Sequence, residues 1–251
     1  MPFAMLQRND AAPELLPLAG FEVHQVWDAE FMARLQGRTA DEMNARFDAG
    51  HRAYVAWRNE EPAAWGWVAT TSAHIGELGA SFEIPEGERY LWNFVTVAAH
   101  RGLGIYPRLL QAIVRAESRE AERFWIAYAP ENHASGGGIA KAGFTRLAEM
   151  SFDAAGQPAL HALVPGGGVA SSRVLGLRVS DEPLAPCWRC VKAGRGAMSC
   201  AEGACHCDYQ QPKSGCADDV KGVHDTCPYV TCCGTGRDGQ SLLSNQRFHI
   251  P

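Results

Sequence analysis

The sequence predicts a mixed α/β domain followed by a small cysteine-rich, metal-binding C-terminal module. Three observations lead there. Short β-branched and aromatic runs alternate with helical patterns from residue 20 to residue 164. The segment PGGGVASS at 165–172 then breaks that composition. All nine cysteines fall between Cys187 and Cys233, after 186 residues that hold none. With 251 residues, 46% of them hydrophobic, seven Trp and ten Phe, the chain has ample material for a packed core. It divides into residues 1–170, a linker at 171–186 and the module at 187–251.

The elements follow in order. FEVHQVWD, from Phe21, alternates apolar and polar residues as a half-buried strand does. In TADEMNARFDAG, Thr39 stands as N-cap, Glu42 follows three residues later and Gly50 closes the run, the pattern of a capping-box helix. RAYVAWR (52–58) and AAWGWVATT (63–71) flank the short turn NEEP and read as an antiparallel hairpin. RYLWNFVTV (89–97) is apolar on both faces, which places it centrally in its sheet. Behind it Tyr106, Leu109, Leu110, Ile113 and Val114 recur at helical spacing, with Arg108, Gln111, Arg115 and Glu117 on the other side.

Pro107 locates the start of that helix, because proline costs ~3 kcal/mol in a helix interior and is tolerated in the first turn. Gly102, Leu103 and Gly104 are left as the loop feeding it. RFWIAYA (123–129) is the next buried strand, NHASGGGIAKAGF a short helix closed by Gly143, and TRLAEMSF with PALHALV a final hairpin. The glycines and serines of PGGGVASS predict a flexible connector, with RVLGLRV readable as a strand of either domain.

Charge and composition exclude several classes. The net charge of −5 is spread evenly, without the basic stripe that phosphate-backbone binding requires, so no nucleic-acid partner is expected. MPFAMLQRND lacks the basic start and apolar run of a secretory signal, and no window approaches the ~18 consecutive apolar residues of a membrane helix. The expectation is a cytoplasmic protein without a membrane partner, in a compartment that disfavours structural disulfides.

HRGLGIYP places free backbone amides and a helix N-terminus directly after a central strand, the ingredients of an anion site. No Lys-Ser/Thr follows the glycines as in a nucleotide-triphosphate loop, and a dinucleotide fingerprint would need Gly where Pro107 stands. The stretch resembles the pyrophosphate loop of the GNAT family of N-acetyltransferases, Arg/Gln-x-x-Gly-x-Gly/Ala. Arg101, Gly104 and Tyr106 occupy its three places, the tyrosine being a departure. Downstream, Asn132, Ser135, Lys141, Gly143 and Phe144 resemble the family's Asn-x-x-Ser helix ending in Lys-x-Gly-Phe. The likeness spans residues 20–164 and does not touch the tail.

The resemblance implies a mixed, centrally splayed sheet flanked by helices, with acetyl-CoA as cosubstrate. It implies that Arg101 and the amides of Gly102, Leu103, Gly104, Ile105 and Tyr106 hold the pyrophosphate. It further implies that the strand edge at Thr96 and Val97 pairs with the pantetheine arm and that Asn132 and Ser135 face the cofactor. The reaction is direct attack of a small-molecule or protein amine on the thioester, which requires a base for the ammonium proton and an acid for the thiolate.

The tyrosine that serves as acid in many members would stand at Ile139, so Tyr128 is the substitute candidate beside its ordinary reading as a strand tyrosine. For the base, Glu83 and Glu88 precede the central strand, although each reads first as a surface carboxylate. Glu77 lies further back, and His74, His100 and His133 are no better distinguished. Asn93 interrupts an apolar strand and reads either as a water-orienting amide or as a satisfied core amide. An alternative to catalysis is a CoA-binding protein that senses acyl-CoA or metal.

In the tail, Cys187, Cys190, Cys200, Cys205, Cys207, Cys216, Cys227, Cys232 and Cys233 are interleaved with His206 and His224. CWRCVKAG resembles a zinc-knuckle turn, whose two-residue spacer lets both thiolates reach one metal. Disulfides would leave one of nine cysteines over, and the spacings differ from the usual ferredoxin patterns of iron–sulfur proteins. Zinc fits best, with the nine cysteines and His224 as candidate ligands. Few large apolar residues are available there, so metal binding would supply the folding free energy, ~10–16 kcal/mol per structural zinc. Seven Lys/Arg against eight Asp/Glu from residue 181 onward argue against a nucleic-acid finger, and a protein partner or substrate is the expectation for the module.

Overall fold

The computed structural model describes residues 1–185 and Trp188. In chain order the elements are β1 (Pro2–Gln7), β2 (Phe21–Val26), α1 (Ala29–Gln36), α2 (Ala40–Asp48), β3 (Arg52–Arg58), β4 (Glu61–Ala69), β5 (Ser72–Ile75) and β6 (Ala80–Glu83). There follow β7 (Glu88–Thr96), α3 (Ile105–Glu117), β8 (Arg123–Ala127), α4 (His133–Lys141), β9 (Thr145–Phe152), β10 (Pro158–Ala162) and α5 (Gly167–Leu175). Eight strands form one sheet in the order β10-β9-β1-β8-β7-β4-β3-β2, and β5 and β6 pair separately. The order is mixed α/β, as the sequence predicts. Among the described residues, no helix is long and apolar enough to cross a membrane.

Local signals account for several elements. Thr39 Oγ1 accepts from the Glu42 amide at 3.2 Å while Glu42 Oε2 accepts from the Thr39 amide at 3.0 Å, the reciprocal bonds of a capping box. α3 begins two residues before Pro107, where the missing amide is without consequence. Two helices were not assigned by the sequence analysis, one with a local cause and one without. Asp28 Oδ1 caps α1 by accepting from Phe31 N at 2.9 Å. α5 corrects the expectation of a flexible connector: its glycine-rich turn leads into Ser171, Val174 and Leu175, all buried beneath β9 and β10. There, burial of the apolar side chains outweighs the low helix propensity of glycine and serine.

The sheet separates two apolar layers. On one face α3 and α4 bury Leu109, Leu110, Ile113 and Ile139 against Ala4, Leu6, Leu91, Phe124 and Ile126. On the other face, α1 and α2 cover Val55 and Trp67 with Met32 and Met43. The remaining part of that face packs Phe3, Tyr90, Trp125 and Met150 beneath the β5–β6 hairpin and α5.

One ionic cluster ties the end of α3 to the sheet. The buried Glu117 carboxylate accepts from Tyr54 OH at 2.6 Å, Arg89 Nε at 2.8 Å and Arg52 Nη1 at 2.9 Å. Burial, then the bond to Glu117, holds the Tyr54 hydroxyl well above its ordinary pKa. These three partners fix the helix whose opposite end carries the glycine loop.

Candidate active site

β7 and β8 are the only parallel neighbours in the described sheet, and they pair only from Glu88 to Leu91 against Arg123 to Ile126. Beyond that point β7 follows β4, with Thr96 opposite Ala64, while the Tyr128 amide donates to Pro2 O at 3.4 Å and keeps β8 beside β1. The two strands therefore part, leaving a gap at the centre of the sheet. A bulge marks the place. The register of β7 against β4 shifts between Trp65 and Trp67, and Asn93 has φ 53°. Gly66 opposite the bulge is required by contact, since a Cβ there would lie 2.0 Å from Phe94 Cε1.

At the end of β7 a one-turn helix, Ala98–His100, leads into the loop. Gly102 and Gly104 both take left-handed backbone, φ 78° and 70°, which L side chains adopt at a cost. Among the described residues, no group accepts from the amides of Gly102, Leu103, Gly104, Ile105 or Tyr106. These N–H groups surround the start of a 13-residue helix, whose dipole adds partial positive charge. Arg101 Nε donates to Thr96 O at 3.1 Å, which sets the guanidinium beside the same loop. Arg108, one turn into α3, donates to Gly104 O at 2.7 Å and to Leu16 O at 2.5 Å. It thereby pins the loop to the segment ahead of β2. That positioning role was not read from the sequence, although the spacing of four residues between Gly104 and Arg108 carried a signal for it.

Tyr106, in place of a small residue, is accommodated by its surroundings. Its ring packs 5.4 Å from that of Phe94, and it lies against Gly138 of α4, where an added Cβ would come within 2.4 Å. Its hydroxyl meets Ser135 Oγ at 3.3 Å. Burial raises its pKa, and the Ser135 bond offsets part of that shift. Tyr128 uses the same device, its ring lying on Gly136, where a Cβ would meet Cε2 at 2.7 Å. Gly136 is one helical turn before Ile139, so the Tyr128 ring covers the face of α4 on which Ile139 sits, itself 1% exposed.

The remaining sequence candidates divide. Asn93 stands at the bulge where the gap opens, and no described group bonds its side-chain amide. Thr96 is a non-hydrogen-bonded partner of Ala64, so its backbone faces the gap, although its carbonyl is taken by Arg101. At Val97 the amide donates to Ala63 O at 2.9 Å and the carbonyl accepts from His100 N at 2.9 Å. Asn132 caps α4, its Oδ1 accepting from Ser135 N at 3.0 Å.

Glu88 and Glu83 lie away from the gap. Glu88 is the first residue of β7, ~26 Å along the strand from Thr96 at ~3.3 Å per residue. Its buried carboxylate accepts from Arg123 Nη1 at 3.0 Å, from Trp125 Nε1 at 2.6 Å and from Arg173. Glu83 belongs to the β5–β6 hairpin, which packs through Phe82 on Tyr90 at that same far end. The nine cysteines and His224 lie outside the described residues. Among the described residues, no three His, Cys, Asp or Glu side chains group as metal ligands.

Several solved structures are similar to part of the chain. A GCN5-related N-acetyltransferase from Kribbella flavida is 17% identical over 58% of this chain and 53% of that one, with a TM-score of 0.39. The chain thus spans about half the length of that structure. An aminoglycoside acetyltransferase from an uncultured soil metagenomic sample is 18% identical over 53% of this chain and 96% of that one, TM-score 0.40. AAC(6')-Iy, solved with a CoA-containing bisubstrate analogue, is 12% identical over 50% and 91%, TM-score 0.40. No curated protein matches the chain. The model of the acetyltransferase (GNAT) family matches residues 19–144, half of the chain, which therefore belongs to that family.

Proposed function

We propose that the chain is an acetyl-CoA-dependent N-acetyltransferase that acts on an amine by direct transfer. The observation that carries this reading is the row of unpartnered amides from Gly102 to Tyr106 at the mouth of the central gap. A diphosphate accepts from those amides, with Arg101 adding charge. The pantetheine arm then follows the β7 edge at Thr96 and brings the thioester towards Asn93. The amine nitrogen attacks the thioester carbonyl carbon, a C–N bond forms as the C–S bond breaks, and CoA leaves as thiolate. Before the attack the ammonium loses its proton to solvent through a water held by the Asn93 amide, and after it the Tyr128 hydroxyl protonates the thiolate and is reprotonated from solvent. Asn132 and Ser135 bound the cofactor side through the α4 cap and the Tyr106 bond.

The cysteine-rich segment supports a second part of the proposal, a structural zinc module that recognises a protein partner or the substrate. Metal analysis by native mass spectrometry of protein purified without added metal tests it, a metal-free chain being the contrary result. Transfer is tested by following free CoA thiol with acetyl-CoA and a panel of amines.

One observation favours a different reading. Ile139 fills the acid's usual place with a buried apolar side chain, as in a chain that binds acetyl-CoA without turning it over. Binding of acetyl-CoA with no thiol released for any amine would decide for that sensor.

A further inference from the structure

The face of the sheet opposite α3 carries an aromatic shelf at the mouth of the gap. Directly paired strand residues share a face. His24 lies opposite Val55, Val55 opposite Trp65 and Trp65 opposite Val95, so one row runs from the edge strand β2 to the gap strand β7, with Val55 itself buried beneath α1 and α2 and only its neighbours reaching the surface. The neighbouring row is Glu22, Trp57 and Pro62. Trp57 is stacked on Phe31 of α1, centroids 5.5 Å apart and planes 19° from parallel. Trp57 and Trp65 are both partly exposed, and Val95 is 37% exposed. Val95 follows the bulge at Asn93 by two residues, so the shelf ends where the thioester carbonyl is expected.

From this we infer the class of acceptor: an arylalkylamine, lying flat on Trp65 and Trp57 with its primary amine directed past Val95 into the gap. The inference rests on the acetyltransferase reading. Size supports it, because adjacent strands are ~4.8 Å apart. Trp65 is one strand from Val95 and Trp57 is two, a reach of ~10 Å that an aryl ring and a short alkyl arm fill. Charge supports it as well. Among the described residues, these two rows hold one carboxylate, Glu22, and His24 Nε2 already meets it at 3.0 Å. A polyamine or an aminoglycoside, with several ammonium groups, would find a single shared acid there, whereas a monoamine with a flat apolar body finds ring surface.

The test uses the full chain and four probe amines, tryptamine, tyramine, spermidine and kanamycin, with CoA thiol release as readout and acetyl-CoA affinity measured separately. The expected result is a higher kcat/KM for the two arylalkylamines. Trp65→Ala raises their KM about tenfold, the loss of one stacked ring, and leaves acetyl-CoA affinity unchanged. Glu22→Gln is the control at a side chain that is 72% exposed. It lowers the residual rate with spermidine without raising the KM for tryptamine. Preference for kanamycin or spermidine overturns the inference and leaves the acetyltransferase reading standing. So does a tryptamine KM unmoved by Trp65→Ala. No transfer to any of the four despite bound acetyl-CoA overturns both, and failure to bind acetyl-CoA at all overturns the reading beneath.

Discussion

Gly102→Ala isolates the backbone of the anion loop. Gly102 has φ 78°, and a Cβ built there meets nothing within 4 Å, so the substitution adds no clash. What it adds is the cost of left-handed backbone to an L residue, ~1–2 kcal/mol. That cost has two places to appear. If the loop keeps its conformation in the free protein, the strain is present before ligand arrives, and stability falls by the whole amount. For a body of this size that is a loss of roughly 2–8 °C in Tm, at about 2–4 °C per kcal/mol. If the free loop instead relaxes, acetyl-CoA must restore the strained form, and affinity falls ~5–30-fold with little change in Tm. Thermal melts and isothermal titration on the same preparations measure both, and the two losses should sum to ~1–2 kcal/mol. Unchanged Tm together with unchanged acetyl-CoA affinity would refute the claim that left-handed backbone at Gly102 shapes the site.

Three further outcomes are expected. Gly66→Ala drives a Cβ into the Phe94 ring and should cost ~1–3 kcal/mol by overpacking, read as a lower midpoint in urea with the bulge displaced. Tyr128→Phe should lower kcat ~100-fold at constant acetyl-CoA affinity, because only proton donation is removed; an unchanged kcat excludes Tyr128 as the acid. Burial first, and Arg46 second, lower the His51 pKa to about 4 from 6.5. Because the unfolded chain takes the proton first, this contribution is complete above pH 6.5. It is lost as pH falls towards 4, by at most about 3 kcal/mol. Urea unfolding across that range should show the slope, and His51→Gln should flatten it.

Elements set by local chemistry were legible in the sequence. The capping box, the Pro107 helix start, the antiparallel hairpin of β3 and β4 and the central position of β7 all follow from residues within a few positions of one another. Elements set by distant partners were not. β1 is six residues long and is held by β8 and β9 from the far half of the chain. α5 is held by its burial rather than by its composition. The same distinction runs through the site. The glycine loop was legible because its amides, its helix and Pro107 are contiguous. Glu88 looked like a surface acid because Arg123 and Arg173, 35 and 85 residues away, enter its surroundings only on folding. The bulge at Asn93 depends on Gly66 across the sheet, and the space for Tyr106 depends on Gly138 of another helix.

The central claim is that the amides from Gly102 to Tyr106 hold a diphosphate. Titration of the full chain with acetyl-CoA and, separately, with S-acetylpantetheine, which keeps the thioester arm and lacks the diphosphate and nucleotide, tests it most directly. Charge-assisted bonds contribute ~1.5–3 kcal/mol each, so acetyl-CoA should bind at least ~100-fold more tightly than the truncated thioester. Equal affinities, or no binding of acetyl-CoA, would contradict it.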